Sequence, residues 1–185
     1  MRENMPTLEK LSRNNGRDVF NMLQGIESND NGFHNDVKDM PYEYFAGWLV
    51  QNEGYALNIG LEDWMVPQTT YWLFDDQHVP VGCGRIRHYL NDRLRTDGGH
   101  IGYAISYPCR GNGYGNEILR LLLIEACEMG IQEVHIGANK ENIRSNKIIR
   151  AHCGVLIRET DTKNHYTINL SMQHSSKDLW KNEPT

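Results

Sequence analysis

A chain of 185 residues, 39% hydrophobic and 23% charged, has the composition of one soluble globular domain with enough chain for a real core. Its net charge of -5 argues against a general binder of nucleic acid or of anionic membrane, which would carry a basic surplus to neutralise phosphate. The 4 cysteines are widely spaced with no Cys-x-x-Cys pair, which argues against a zinc site or disulfide scaffold and fits reduced thiols in a cytoplasm, and no apolar run reaches signal-peptide or membrane-spanning length.

From Pro6 to about Ile26, the spacing of Leu8, Leu11, Val19, Phe20, Leu23 and Ile26 predicts one or two helical pieces, interrupted at Asn14, Asn15 and Gly16. Ser28 to Gly32 reads as a loop, because its side chains compete for backbone hydrogen bonds. Pro41 suits the first turn of a helix with Tyr44, Phe45, Trp48 and Leu49 on one aromatic face, and Gly54 is its expected end. The β-branched and aromatic run Thr69 to Phe74 predicts a strand, Asp75 to Gln77 a turn, and Val79 to Leu90 the returning strand of an antiparallel hairpin. Asn91 to Gly99 is a polar connection to a further strand, His100 to Ser106.

Pro108 to Gly115, Pro-Cys-Arg-Gly-Asn-Gly-Tyr-Gly, then sets three alternate glycines between a strand and a helix. Gly111, Gly113 and Gly115 carry no Cβ, so they can take positive φ and bring bare N–H groups close to a ligand. The helix that follows, with Ile118, Leu122, Ala126 and Met129 in one row and Leu119, Leu123 and Cys127 in the next, adds unpaired N–H donors and a positive dipole end that favour phosphate, and Gly130 stops it. Glu133 to Ala138 is a strand, Asn142 to His152 a helix ended by Gly154, and Val155 to Glu159 with Tyr166 to Met172 two strands joined by the turn Asp161 to Asn164. This order predicts an α+β fold, a mixed and mostly antiparallel sheet flanked by helices with one βαβ crossover. The domain is expected over 1–173, with an N-terminal helical region 1–67, a core 68–173 and a polar tail 174–185.

The glycine spacing does not fit a dinucleotide fingerprint, which would need glycine where Asn116 stands, and no G-x-x-x-x-G-K-[ST] occurs. Arg110-x-x-Gly113-x-Gly115 after a strand resembles the Q/R-x-x-G-x-G/A signature of the GNAT superfamily of acyl-CoA-dependent N-acyltransferases. The resemblance covers about Thr69 to Leu170. A second patch, Asn142-x-x-Ser145 with Gly154, supports it, and Gly98-Gly99-His100-Ile101-Gly102-Tyr103 with Asn142-x-x-Ser145-x-Lys147 looks most like a bacterial branch of acetyltransferases of unassigned substrate.

The resemblance implies an N-acetyltransferase that uses acetyl-CoA as acyl donor and no metal, acting on a small-molecule amine or peptide by direct attack. Arg110, Gly111, Asn112, Gly113, Tyr114 and Gly115 would hold the coenzyme A pyrophosphate. Ala104, Ile105 and Ser106 would meet the pantetheine arm and offer a backbone N–H to the developing oxyanion, with Ser106 counted among the catalytic residues. Asn142 and Ser145 would hold the splayed strands or touch the cofactor, although Asn142 also suits a helix cap.

His100 stands about where many relatives place a glutamate and is the leading candidate for general base; a strand histidine satisfied by its neighbours is the plain alternative, and His88 a weaker candidate. Ile149 occupies the position of a tyrosine that in many relatives protonates the leaving thiolate, so either the thiolate leaves unaided and takes its proton from water or Tyr103, Tyr107 or Tyr114 substitutes. Cys109 and Cys153 suit either an acyl-enzyme route or incidental thiols. Tyr44, Phe45, Trp48 and Trp64 suit either an acceptor pocket or core packing. Loss of the tyrosine leaves a non-catalytic acyl-CoA binding or sensing module as the second function class, and a homodimer is neither required nor excluded.

Overall fold

The computed structural model describes residues 5–171, so the tail 174–185 and the predicted strand end at Met172 lie outside the described residues. In chain order the elements are β1 (Thr7–Lys10), α1 (Arg17–Gln24), β2 (Asn29–Asp30), β3 (Phe33–His34), a 3-10 turn (Tyr42–Tyr44) leading into α2 (Phe45–Ala56), β4 (Gln68–Phe74), β5 (Pro80–Arg87), α3 (Asp92–Asp97), β6 (Ile101–Ile105), a 3-10 turn (Tyr107–Cys109), α4 (Tyr114–Glu128), β7 (Glu133–Asn139), α5 (Ile143–Ala151), β8 (Val155–Glu159) and β9 (Lys163–Asn169).

The strands form one sheet in the order β1-β4-β5-β6, another in the order β7-β9-β8, and the small hairpin β2-β3. All pairings in them are antiparallel. The predicted crossover is present as β6-α4-β7 and carries the chain from the first sheet to the second. Where the two sheets meet, the His100 N–H donates to the His135 carbonyl at 2.7 Å. Among the described residues no ladder continues from there along β6 and β7. The chain therefore builds two antiparallel sheets that touch at one end and part at the other.

Helix α4 lies under both sheets. Ile118, Leu119, Leu122, Leu123 and Ala126 are fully buried against Tyr71, Leu73 and Ile86 of the first sheet and Val134, Ile136, Tyr166 and Ile168 of the second. Each such large side chain contributes about 1.5–3 kcal/mol relative to exposure. Gly84 lets the helix approach, since a Cβ there would stand 2.6 Å from Leu122 Cδ1. On the opposite face α1 and α2 bring Val19, Leu23, Phe45 and Trp48 onto Trp72, Cys83 and Ala104. β4 is covered on both sides, which is why every position after Gln68 is buried instead of alternate ones.

Several local expectations are corrected. Thr7–Lys10 is a strand, not helix: Leu8 stands opposite Leu73 and Lys10 opposite Tyr71, so the region 1–67 supplies an edge strand to the main sheet. Four residues with one apolar side chain show no readable period, and pairing with β4 decides their state. Ser28–Gly32 is part of a hairpin whose Asn31 and Gly32 take φ 53 and 92, the positive pair that a two-residue Asn-Gly turn needs. Gly54 lies inside α2, which runs on to Ala56. The polar connection contains α3, capped by Asn91 Oδ1, which accepts from the Leu94 N–H at 3.0 Å. After α5 the left-handed residue is Cys153, at φ 62. Gly154 is needed for close packing, because a Cβ there would meet Ile149 O at 2.6 Å. The last hairpin turns earlier than expected, with Lys163 already in β9.

Candidate functional site

The opening between β6 and β7 leaves one strand edge bare. Toward β5, the Ser106 N–H donates to the Val81 carbonyl at 3.0 Å and the Arg87 N–H to the His100 carbonyl at 2.8 Å. In an antiparallel ladder the groups alternate in direction, so Ile101, Tyr103 and Ile105 turn their N–H and C=O groups away from β5, into the gap. The Ile105 carbonyl there accepts from Arg110 Nε at 3.0 Å. The N–H groups of Tyr103 and Ile105 have no strand partner on that side among the described residues. Ser106 is corrected by the same alternation: its N–H is spent on Val81, and its side chain is buried against Gly25. Ala104 also faces β5 and packs its methyl group into the α1–α2 core.

The chain then turns through the glycine loop. Gly111 has φ 90 and Gly113, the residue before α4, has φ 82, so both occupy the left-handed region and neither has a neighbour where a Cβ would stand. The N–H groups of 111–115 have no backbone acceptor among the described residues, whereas those of Asn116 and Glu117 turn back to the Gly113 carbonyl. Asn112 Nδ2 donates to the Cys109 carbonyl at 3.1 Å and shapes the loop from within. Gly115 lets α4 approach α5, since its Cβ would stand 3.0 Å from Ile148 Cδ1. Arg110 does not present a free cation to this cradle: its guanidinium is paired with Asp30 of the β2-β3 hairpin and with the Ile105 carbonyl.

The loop, the free edge of β6 and the first turn of α5 enclose a cavity of about 690 Å³, lined by Tyr103, Ile105, Gly111, Gly113, Tyr114 and Ser145 among others. A smaller cavity of about 180 Å³ adjoins it under the β2-β3 hairpin and shares Asp30, Asn31, Tyr103, Asn142 and Ser145 with it. Where the two meet, the Tyr103 hydroxyl and Ser145 Oγ share a hydrogen bond of 3.2 Å. Burial pushes the Tyr103 phenol above its ordinary range, so it stays protonated. Asn142 Oδ1 accepts from the Ser145 N–H at 3.1 Å, the helix-cap role.

Sequence reasoning missed Asn146, which is buried and bonds to the Asn139 and Asn142 carbonyls at 2.8 Å each while accepting from the Tyr166 hydroxyl at 2.7 Å. That network fixes the β7–α5 turn and with it Asn142 and Ser145. Its only sequence signal is an asparagine three residues before Ile149, on the inner face of a helix whose other face is polar.

His100 is corrected as a base. It is buried, its Nδ1 accepts from the His135 N–H at 3.0 Å, and it lines neither cavity. Burial, then the neighbouring His135, Arg95 and Arg87, push its pKa down to about 4. It is a clip between the two sheets. His88 Nε2 bonds Thr69 Oγ1 at 2.8 Å, away from both cavities. Ile149 is fully buried in the core. Of the cysteines singled out, Cys109 reaches the larger cavity with its thiol pushed up by burial, and Cys153 is exposed. Phe45 and Trp48 are core residues, Tyr44 and Trp64 are exposed, and none of the four lines either of these two cavities. Tyr107 is exposed, and Tyr114 lines only the larger cavity. Among the described residues no group of three His, Cys, Asp or Glu is placed to hold a metal, and no helix is long and apolar enough to cross a membrane.

A bare strand edge running into a glycine cradle at a helix N-terminus is the arrangement that the sequence resemblance implies, and the sequence profile of the Acetyltransferase (GNAT) domain matches residues 22–154, well over half of the chain. The chain belongs to the GNAT acetyltransferases. It is accordingly an acyltransferase by family, and the binding-module alternative gives way to the enzyme. No curated protein sequence matches this GNAT chain.

Solved GNAT structures share its fold at low identity. The Campylobacter jejuni N-acetyltransferase PseH in complex with acetyl coenzyme A is 9% identical with a TM-score of 0.59, over 89% of this chain and 99% of that one. The nucleotide-linked sugar GNAT FdhC is 14% identical with a TM-score of 0.64, over 96% and 94%. The Vibrio cholerae spermidine N-acetyltransferase in complex with CoA and spermine is 12% identical with a TM-score of 0.61, over 90% and 96%.

Proposed function

We propose that this GNAT protein transfers an acetyl group from acetyl-CoA to a primary amine by direct attack. The observation that carries the reading is the free N–H edge of β6, at Tyr103 and Ile105, leading straight into the unpaired N–H groups of 111–115. These residues fit coenzyme A: a pyrophosphate suits the loop and the positive end of α4, and an amide-bearing arm suits an unpaired strand edge. The exposed Arg144 and Lys147 on the rim of the same cavity add positive charge, replacing the cation that Arg110 commits to Asp30. The acyl-CoA-bound PseH and the CoA complex of the spermidine enzyme support the same cosubstrate.

Acetyl-CoA supplies the activated acyl group, and the chain supplies placement, polarisation and a proton. Holding amine and thioester together removes much of the entropic barrier. The Ile105 or Tyr103 N–H, rather than that of Ser106, donates to the developing oxyanion, an effect typically worth about 2.7–4 kcal/mol. The Tyr103 hydroxyl, kept protonated by burial, stands at the junction of the cavities as the proton donor to the departing thiolate and takes the part that Ile149 cannot play. With His100 withdrawn, the amine proton leaves through water.

The test is release of free thiol from acetyl-CoA across a panel of amines, beside calorimetric binding of acetyl-CoA. Binding without transfer to any amine overturns the enzyme mechanism, and absence of binding overturns the cofactor assignment.

A further inference from the structure

The smaller cavity holds an unbalanced pair of cations. Its carboxylates are already satisfied: Asp97 takes Lys163 Nζ at 2.7 Å, and Asp30 is paired with Arg110. Arg85 and Arg87, two residues apart on the same face of β5, both line this cavity, and neither has a carboxylate partner among the described residues. Each is anchored by a carbonyl, Arg85 Nη1 donating to His34 O at 2.7 Å and Arg87 Nη1 to Gly99 O at 2.8 Å. A carbonyl orients a guanidinium without neutralising it.

Arg85 lies with its guanidinium 4.7 Å over the Phe33 ring, and its Nε is buried without an acceptor. A buried donor left unpaired is unfavourable, so the hydrogen-bonding capacity of this guanidinium is only partly used within the protein. The two cations feel each other: burial first, then Arg85, lowers the pKa of Arg87. In a protein of net charge -5, this local positive pair beside the transfer site needs an opposite charge.

We infer that the acceptor of this enzyme is an amine that also carries an anionic group, a carboxylate or a phosphate, held by Arg85 and Arg87 while its amine faces the Tyr103 junction. The inference rests on the acetyltransferase reading above. Two guanidiniums side by side match the oxygens of such a group bidentately. The same pair repels a polycation, so a polyamine is disfavoured at this site although the fold is shared with a spermidine enzyme.

Thiol release with glucosamine, glucosamine 6-phosphate, aspartate and spermidine tests it. The expected result is a kcat/KM at least tenfold higher for the phosphorylated amine or for aspartate than for glucosamine and spermidine, and the better of those two tells phosphate from carboxylate. Arg85→Gln should raise the KM of that amine at least tenfold while the affinity for acetyl-CoA, which also reports folding, stays within threefold.

Preference for spermidine or for uncharged glucosamine overturns the inference and leaves the acetyltransferase reading standing. If nothing is acetylated, calorimetry of aspartate and glucosamine 6-phosphate with the coenzyme A-saturated protein still decides. Binding lost in Arg85→Gln supports the arginine site while the transfer mechanism fails, and no binding, or binding indifferent to Arg85, refutes the site.

Discussion

Replacing Tyr103 by phenylalanine removes one oxygen and leaves the ring, so it separates chemistry from packing. The hydroxyl bonds a neutral Ser145 at 3.2 Å, a long contact between uncharged groups, and its loss should cost the fold no more than about 0.5–1.5 kcal/mol. The transfer should suffer more. General acid assistance is typically worth about 10²–10⁴-fold, and a thiol resembling cysteine, with a pKa of about 8.5, is a good enough leaving group to place the effect at the lower end, roughly 10² in kcat. Because the phenol is held above its ordinary pKa, it is protonated throughout the neutral range, and the deficit should be constant from pH 6 to about 8 and shrink where the thiol ionises unaided. Steady-state thiol release as a function of pH, beside calorimetric binding of acetyl-CoA, reads both quantities. A kcat within threefold of the parent, with binding unchanged, refutes Tyr103 as the proton donor.

His100→Asn keeps an acceptor for the His135 N–H but does not titrate. The parent His100 is neutral in the fold with a pKa near 4, against 6.5 as the ordinary value, so the unfolded chain binds the extra proton between those values. Its contribution is complete above pH 6.5 and falls away toward pH 4, by on the order of 2–3 kcal/mol. Denaturant titrations should show a shallower acid loss in the variant, and its pH–rate profile should stay in place; a displaced profile would restore His100 as a base.

Gly113→Val forces a β-branched residue to φ 82 and should cost about 1–2 kcal/mol in the fold, while acetyl-CoA binding weakens because the N–H cradle is displaced; calorimetry that finds full affinity would refute the cradle. Gly154→Ala places a Cβ 2.6 Å from the Ile149 carbonyl, so the midpoint of thermal unfolding should fall by an amount corresponding to about 1–3 kcal/mol, and an unchanged midpoint would contradict the packing.

The glycine loop was legible because it depends on local chemistry alone: only glycine holds φ of 90 and 82 at Gly111 and Gly113 without strain, and the apolar rows of α4 announce the helix behind them. The Asn142 cap and the β4-β5 hairpin were legible for the same reason. β1 was not, because four mostly polar residues become a strand only against β4. The residue roles were less legible still. Arg110, Ser106 and His100 each stand where the pattern suggests a ligand contact, a free N–H or a base, yet their partners are Asp30, Val81 and His135, which lie 80, 25 and 35 residues away along the chain.

The proposed donor site is thus legible in six contiguous residues, 110–115, whose glycines owe their backbone freedom to their own lack of a side chain. What the site does with its protons and its acceptor depends on groups from separate strands: the direction of each β6 N–H is set by pairing with β5, the Tyr103 hydroxyl by the position of α5, and the unpaired charge of Arg85 and Arg87 by where Asp97 and Asp30 find other partners. Those relations are non-local, and packing alone decides them.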